Sequence, residues 1–314
     1  MFHGISQALQ PSDVQMLEES GYAILHNAIP TDSAINFLRD IKKAARLNLF
    51  KPNKVEFQLS IGAVQVTKPF VYECDCHDTG VLAQLPAFDS LFSVGGDIFN
   101  LANMLRTAVP SLEDLCCEFD PRLFATVKLQ VNSGGCFPWH YDNPGPPNKR
   151  RLTIGVYLSE HWEAQDGGEL VLMPFLRPSV YVVPKFVTVV LFRSDLVLHR
   201  VLPVNRQSKK NRCCFTLWLD GTKTNADGEV NLRLKQLDVG SVPFLRSSPL
   251  QRALSRAVYE ELYREALLEC FGSESKDAKL SLEIHDTHVK QLRACDTLAN
   301  FIDHLKRIAS EFII

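Results

Sequence analysis

The chain has 314 residues, of which 46% are apolar and 22% charged, and its formal net charge is −2 at pH 7. These values are near the averages for globular proteins and exclude a disordered chain. They also argue against nucleic-acid binding through bulk charge, although a local basic groove stays open. No basic stretch leads into an apolar run at the start, and no apolar stretch approaches the roughly 18 residues of a membrane helix. We therefore expect neither secretion nor a membrane span.

The nine cysteines suggest a disulfide framework by number but not by placement. Nine is odd, and two pairs are adjacent in the chain, Cys116 with Cys117 and Cys213 with Cys214. This pattern predicts reduced thiols and a cytoplasmic and/or nuclear protein.

Residues 1–120 predict a helix-rich N-terminal support region. The expected elements are, in chain order, a helix that ends at Gly21, a strand at 22–25, a helix that begins at Thr31 or Asp32, an irregular segment at 51–87 and a helix at 96–117.

Residues 121–222 have a different texture, in which short runs of branched and aromatic residues alternate with turn clusters. The candidate strands are 124–131, 152–158, 168–173, 179–183, 186–192, 197–203 and 212–219. So many short strands with little intervening helix predict an antiparallel sandwich or barrel. We expect this core to form one domain with the N-terminal region.

Residues 240–314 predict a helical C-terminal extension. One apolar stripe runs from Leu250 to Cys270 and closes at Gly272, and a last helix is expected at about 289–312.

The strongest local feature is His140-Tyr141-Asp142. In a strand, residues i and i+2 point to the same face, so the imidazole and the carboxylate could grip one metal ion. His199, 57 residues after Asp142, can supply a third ligand. Two histidines and one carboxylate form the facial triad of non-heme Fe(II) oxygenases, which leaves positions for a bidentate 2-oxo acid and for dioxygen. The three residues are therefore the candidate metal ligands and catalytic residues.

A 2-oxo acid with a second carboxylate needs a charged, fork-shaped anchor. Arg212 follows His199 by 13 residues, and strand alternation places Thr216 on its face. Tyr157, on an earlier strand, can add a phenol donor. Arg206 also follows His199 and remains an alternative anchor.

Residues from about 122 to 222 resemble the catalytic core of the 2-oxoglutarate- and Fe(II)-dependent dioxygenases, in their prolyl 4-hydroxylase branch. The segments that carry the resemblance are 140–144, 154–159, 166–170, 184–186, 191–195, 199–203 and 212–218. The resemblance implies a mainly β core, a double-stranded β-helix (jelly roll, cupin-like), with N-terminal helices packed on the sheet and a helical C-terminal extension. It assigns iron to His140, Asp142 and His199, and 2-oxoglutarate to Arg212, Tyr157 and Thr216.

The same resemblance implies that the chain hydroxylates an unactivated C–H bond, with a prolyl residue of a protein as the leading substrate. Fe(II), 2-oxoglutarate and dioxygen would be required, with ascorbate as a candidate reductant that keeps iron ferrous. Candidate substrate contacts are Gln130, Trp139, Tyr141 and Arg193, with a lid from residues 51–72. Gln130 is a departure, because prolyl hydroxylases often have a tyrosine at that position.

Two other functions remain open at this stage. The same chemistry can act on a small molecule or another amino-acid side chain; a nucleic-acid base is disfavoured, because Trp218 stands where the demethylating branch carries a second arginine. A non-catalytic jelly roll that binds partners through its C-terminal helices is the second alternative. The oligomeric state is not predicted.

Two further motifs have metal-like spacing. Residues 74–77 read Cys-Asp-Cys-His, but a spacing of one differs from the two to four residues usual in zinc sites. Residues 285–288 read His-Asp-Thr-His, and we interpret them as a solvated turn or a helix start.

Overall fold

Two β-sheets form the centre of the molecule in a computed structural model that describes residues 2–59, 62–222, 240, 242–248 and 250–312. The strands are β1 (Tyr22–Leu25), β2 (Lys51–Leu59), β3 (Gly62–Asp75), β4 (Ala125–Asn132), β5 (Phe137–His140), β6 (Arg150–Tyr157), β7 (Leu170–Pro174), β8 (Val180–Val182), β9 (Val189–Arg193), β10 (Val197–Val201) and β11 (Arg212–Asp220). The major sheet has the order β1-β9-β6-β11-β4-β3-β2, and the minor sheet has the order β5-β10-β7-β8. All pairings between these strands are antiparallel.

The predicted jelly roll is confirmed, and each of the seven predicted runs overlaps one strand. Alternation along β11 explains how one strand serves two environments. Phe215, Leu217 and Leu219 join the core under the N-terminal helices. Arg212 and Trp218, on the opposite face, line the space between the two sheets. The sheet is therefore apolar on its outer face and functional on its inner face.

Helices of the N-terminal region pack on the outer face of the major sheet. They are α1 (His3–Ala8), α2 (Pro11–Ser20), α3 (Thr31–Arg46), α4 (Thr79–Leu82), α5 (Pro86–Asp89) and α6 (Asp97–Ala108). The helix predicted at 96–117 is shorter in the structure, where it ends at Ala108. Pro110 cannot continue the helix and instead starts a separate 3-10 helix. Much of the expected irregular segment at 51–87 is a regular antiparallel pair, β2 with β3.

The C-terminal helices pack on the outer face of the minor sheet. They are α7 (Val242–Leu245), α8 (Leu250–Val258), α9 (Glu260–Phe271), α10 (Lys276–Arg293) and α11 (Asp296–Ala309). In β7, Leu172 faces the other sheet, whereas Met173 joins the core with these helices, so the minor sheet is covered on both faces.

Three sequence-based expectations for this region are wrong in detail. The apolar stripe from Leu250 to Cys270 is two helices, broken at Tyr259, whose buried hydroxyl accepts a hydrogen bond from the Leu176 amide at 2.9 Å. The helix expected at 289–312 is divided by the junction after Arg293. The motif at 285–288 lies within α10 and is neither a turn nor a helix start.

One pair of cysteines is not reduced, which corrects the expectation of free thiols throughout. Cys136, just before β5, is bonded to Cys270 in α9, with 5.3 Å between their Cα atoms. The other seven cysteines are free. Among the described residues, no helix has both the length and the apolar character that a membrane crossing needs.

Candidate active site

The three predicted metal ligands converge at one end of the space between the sheets. His199 of β10 is the direct cross-strand partner of His140, the last residue of β5. Asp142 lies beyond the end of β5 rather than within it, yet its Oδ1 is 3.7 Å from Nε2 of each histidine. One ligand atom from each side chain lies within 4.8 Å of the others, and this is the single such group among the described residues. Sheet pairing brings the two histidines together, and the loop after β5 adds the carboxylate, which gives a two-histidine, one-carboxylate face.

The backbone orients both imidazole rings. Nδ1 of His140 lies 2.8 Å from the carbonyl of Pro138, and Nδ1 of His199 lies 3.1 Å from the carbonyl of Val197. A carbonyl only accepts, so each Nδ1 carries the proton and each Nε2 is left as a metal ligand.

Asp142 is held by two donors that leave one oxygen available. Its Oδ2 accepts hydrogen bonds from Thr153 Oγ1 at 2.8 Å and from Trp218 Nε1 at 3.0 Å. The Thr153 hydroxyl also lies 2.8 Å from Ser194 Oγ, which must donate to it, because the single Thr153 proton goes to the carboxylate. Oδ1 is the oxygen that faces the histidines.

Burial keeps His140 neutral. It lowers the pKa of that imidazole to about 3, and the neighbouring His199 acts in the same direction. Burial alone would raise the pKa of Asp142, but His199, His140 and the two hydrogen bonds outweigh it, so the pKa lies below its usual value. A neutral imidazole and an ionised carboxylate are the forms that bind a metal ion.

Arg212 lies deep in the same cavity and has no acidic partner. Its side chain is 2% exposed, and it forms no ion pair with any residue in the described ranges. Nε donates to the Gly168 carbonyl at 2.8 Å, and the guanidinium lies 4.9 Å from the centre of the Tyr157 ring. A buried cation without a counter-ion is costly, which favours an anionic ligand here.

Gly168 makes room for that guanidinium. Its φ of +71° favours glycine, and a Cβ would lie 3.0 Å from Arg212 Cδ and 2.9 Å from Val204 Cγ2. Other residues keep polar, uncharged groups around the same space. Burial raises the pKa of Tyr157, so its phenol stays a donor at neutral pH. Thr216 also lines the cavity, as does Gln130, which accepts from the Cys214 thiol at 3.6 Å.

The two other candidate arginines lie elsewhere. Arg206 is exposed and its guanidinium lies 3.7 Å from the centre of the Phe70 ring, outside the residues that line the cavity. Arg193 makes a two-pronged pair with Asp195, at 3.1 Å for each contact, and lines a different depression. The structure therefore does not bring Arg193 to the metal ligands with the other proposed substrate contacts.

A second cavity, of about 560 Å³, opens on the outer side of His140. Trp139 and Tyr141, both proposed as substrate contacts, line this cleft. The C-terminal helices form one wall through Arg252, Arg256 and Tyr263. Sequence reasoning missed the three helix residues, because no local pattern links them to β5.

Two hydrogen-bond donors to Asp142 were also missed. Trp218 is not among the predicted site residues, although strand alternation places it on the face of Arg212. Thr153 had no sequence signal beyond its position in a predicted strand. The motif at 74–77 joins no metal group within the described part of the chain, and Cys74 and Cys76 are buried.

The profile of the 2OG-Fe(II) oxygenase superfamily matches residues 126–220. No curated protein sequence matches the chain. Among solved structures, a prolyl 4-hydroxylase of Phytophthora capsici is 36% identical, with 99% of this chain and 96% of that chain covered and a TM-score of 0.81.

Two more distant structures share the fold. A Trichoplax adhaerens prolyl hydroxylase, in complex with a peptide fragment of the hypoxia-inducible factor oxygen degradation domain, is 20% identical over 69% of this chain and 89% of that chain, with a TM-score of 0.52. A Pseudomonas putida prolyl-4-hydroxylase is 20% identical over 68% of this chain and 98% of that chain, with a TM-score of 0.50.

Proposed function

Because the chain belongs to the prolyl 4-hydroxylase branch of the 2-oxoglutarate- and Fe(II)-dependent oxygenases, we propose that it hydroxylates a prolyl residue of a protein or peptide. Succinate and carbon dioxide would be released in each turnover. The Phytophthora relative, which is similar over nearly the whole chain, supports this choice over a small-molecule substrate. The non-catalytic alternative is not retained, since the family is one of enzymes.

One observation carries the proposal: an uncompensated, buried Arg212 lies in the same cavity as His140, Asp142 and His199. A dicarboxylic 2-oxo acid satisfies both ends of this arrangement. Its distal carboxylate would pair with the guanidinium, and its 2-oxo acid end would reach the metal. The Tyr157 phenol and the Thr216 hydroxyl line the same cavity and would donate to that carboxylate.

His140, Asp142 and His199 would hold Fe(II), which supplies the redox chemistry that couples decarboxylation of 2-oxoglutarate to insertion of one oxygen atom of O₂ into a C–H bond, while succinate takes the other. The chain's own task is positioning. Thr153 and Trp218 hold Asp142 so that one oxygen faces the two histidines, and Arg212 would set the direction in which the cosubstrate binds. Apolar residues such as Phe137, Phe192 and Val201 line the cavity and limit water.

The compartment stays a prediction. A cytoplasmic or nuclear location came from the expectation of free thiols, and the Cys136–Cys270 bond is an argument against that reasoning. Ascorbate also stays a proposal and enters the assay as a variable.

The test is a turnover assay on the purified, full-length chain. Fe(II), 2-oxoglutarate and O₂ are supplied with and without ascorbate, and succinate is followed in the presence of proline-containing peptides. Mass spectrometry locates any added oxygen. We expect the peptides to gain one oxygen on proline, in step with succinate.

His199→Ala should abolish turnover, whereas His26→Ala, a change of an exposed histidine outside the cavity, should not. Oxygen added to another residue type would contradict the prolyl assignment and keep the enzyme class. No 2-oxoglutarate binding by folded, iron-loaded protein would contradict the cosubstrate assignment.

A further inference from the structure

We propose that the cleft beside His140 selects an acidic stretch of polypeptide, with Arg256 pairing a carboxylate close to the target proline. This inference rests on the proposed function and adds a substrate class to it. The cleft and the cosubstrate cavity share His140, so a chain bound in the cleft passes the metal face.

The charge of the cleft favours an anion. Among the described residues that line it, Lys68, Arg252 and Arg256 are cationic, and Glu56 is the one carboxylate. Arg256 forms no ion pair with any residue of the described chain, and its guanidinium lies 5.4 Å from the centre of the Tyr263 ring. Lys68 is 8% exposed, and its ammonium donates to the Asn53 amide oxygen at 2.5 Å. An excess of cations in a concave, partly dry site raises the local concentration of anionic ligands.

The apolar part of the lining suits a proline-containing chain. Trp139, Tyr141 and Tyr263 supply aromatic surface, and Pro144 and Pro146 come from the loop after β5. Aromatic grooves bind extended, proline-rich segments because little conformational entropy is lost. The volume of about 560 Å³ fits a few residues rather than a folded domain.

The wall that carries Arg256 is fastened to the strands that carry the metal ligands. Cys270 of α9 is bonded to Cys136 before β5, and Glu269 of α9 pairs with Arg200 of β10. Tyr263, also in α9, stacks on His285 of α10 with ring centres 5.6 Å apart. These links hold α9, and with it Tyr263, against the strands of the metal face. Arg256 of the neighbouring helix α8 lies over the Tyr263 ring, so its distance from the metal face is set through that contact, as selection of a residue at fixed spacing requires.

These wall residues lie outside residues 126–220, which match the superfamily profile. Lys68 precedes that range, and Arg252, Arg256 and Tyr263 follow it. The matched segment holds the metal and cosubstrate residues, whereas residues around it shape the cleft. In this proposal the role of the C-terminal helices is to form the substrate-selecting wall of the cleft.

Binding without turnover provides the primary test. Fluorescein-labelled peptides carry a central proline with two glutamates on each side, and matched peptides carry glutamines or lysines instead. The full chain is loaded with Fe(II) and 2-oxoglutarate under anaerobic conditions, and binding is followed by fluorescence anisotropy. We expect the glutamate peptide to bind at least about tenfold more tightly than the glutamine peptide, and the difference to shrink with salt.

Arg256→Gln should weaken binding of the glutamate peptide about tenfold. Arg39→Gln removes the same charge from exposed surface of α3 and should change nothing. Arg256→Glu should reverse the preference toward the lysine peptide, a gain that misfolding cannot produce. Lys68→Met is a second cleft variant and should also weaken binding of the glutamate peptide.

Equal binding of the glutamate and glutamine peptides would overturn the inference. Equal losses of glutamate-peptide binding in Arg256→Gln and Arg39→Gln would also overturn it, because they would indicate an effect of bulk charge. So would an oligothymidylate that competes for the protein as well as the acidic peptide does. The two proposals fail separately. If both peptides are hydroxylated with the same kcat/KM, the cleft inference is wrong and the function stands. If the acidic peptide binds through Arg256 and is never oxidised on proline, the cleft stands and the prolyl assignment is wrong.

Discussion

The indole nitrogen of Trp218 donates a hydrogen bond to Oδ2 of Asp142 at 3.0 Å. This contact crosses from the major sheet to a candidate metal ligand beyond the end of β5, and with Thr153 it occupies the carboxylate oxygen that does not face the histidines. A carboxylate held in this way reaches the metal without loss of side-chain freedom on binding.

Trp218→Phe keeps most of the ring but removes the donor. We expect Fe(II) affinity to fall about 10–100-fold, the usual effect of losing a partner of a metal ligand. Metal titration of the apoprotein measures this. Trp162→Phe is the matched control, because the Trp162 indole donates to the Gly167 carbonyl rather than to a ligand. If both variants bind iron like the parent chain, the Trp218 contact is packing only.

Arg212→Met should raise the KM for 2-oxoglutarate at least about tenfold, since charge-assisted hydrogen bonds to the distal carboxylate are lost. It should also remove most of the increase in Tm that 2-oxoglutarate gives to the iron-loaded protein. Steady-state kinetics and thermal unfolding measure the two effects. Arg206→Met, at an exposed position outside the cavity, should leave both unchanged. The reverse result would transfer the anchor to Arg206.

Local patterns were sufficient for the strands and for the three side chains that converge as candidate metal ligands. Alternation and turn residues mark β4, β6 and β11, and His140 and His199 meet because antiparallel pairing places them opposite one another. Alternation also placed Arg212 and Thr216 on one face, but the choice between Arg212 and Arg206 needed the structure, which buries the first and exposes the second. These features depend on residues that are close in sequence or on the register of one sheet, and the order of residues in the chain indicates each of these.

The failures have one physical source, which is the direction of side chains between distant elements. Phe192 lines the cavity, so Arg193, the next residue on the strand, must point away from it. The sequence showed that side chains alternate along this strand, but not which of them face the cavity. Cys136 and Cys270 are 134 residues apart, and cysteine connectivity cannot be deduced from order alone. Arg256 reaches the cleft only through helix packing on the minor sheet.

The Cys136–Cys270 bond should be measurable and stabilising. Thiol titration of the unfolded chain should give seven thiols before reduction and nine after it. Cys270→Ser should lower the free energy of unfolding by about 2–4 kcal/mol, because the bond restricts the unfolded chain. Cys295→Ser changes an exposed, free thiol and should leave unfolding unchanged. Nine thiols in protein that has never been reduced would show that the bond does not form.

We expect His285 to make the stability of the C-terminal helices depend on pH. Its side chain is 0% exposed, and neither ring nitrogen has a hydrogen-bond partner in the described part of the chain. Burial lowers its pKa to about 4, and Arg256 acts in the same direction. Asp286 and Glu260 oppose the shift without cancelling it.

The folded-state pKa of His285 lies below the value of about 6.5 expected in the unfolded chain. Between these two values the unfolded state takes up a proton that the folded state does not, so the stability that neutral His285 gives is present above pH 6.5 and is lost as the pH falls toward 4. His285→Phe, which keeps an aromatic ring against Tyr263, should remove on the order of 3 kcal/mol of that acid dependence. Urea unfolding at several pH values measures it, with His3→Gln as the exposed control. If His285→Phe retains the parent slope between pH 6.5 and 4, another group is responsible for the acid sensitivity.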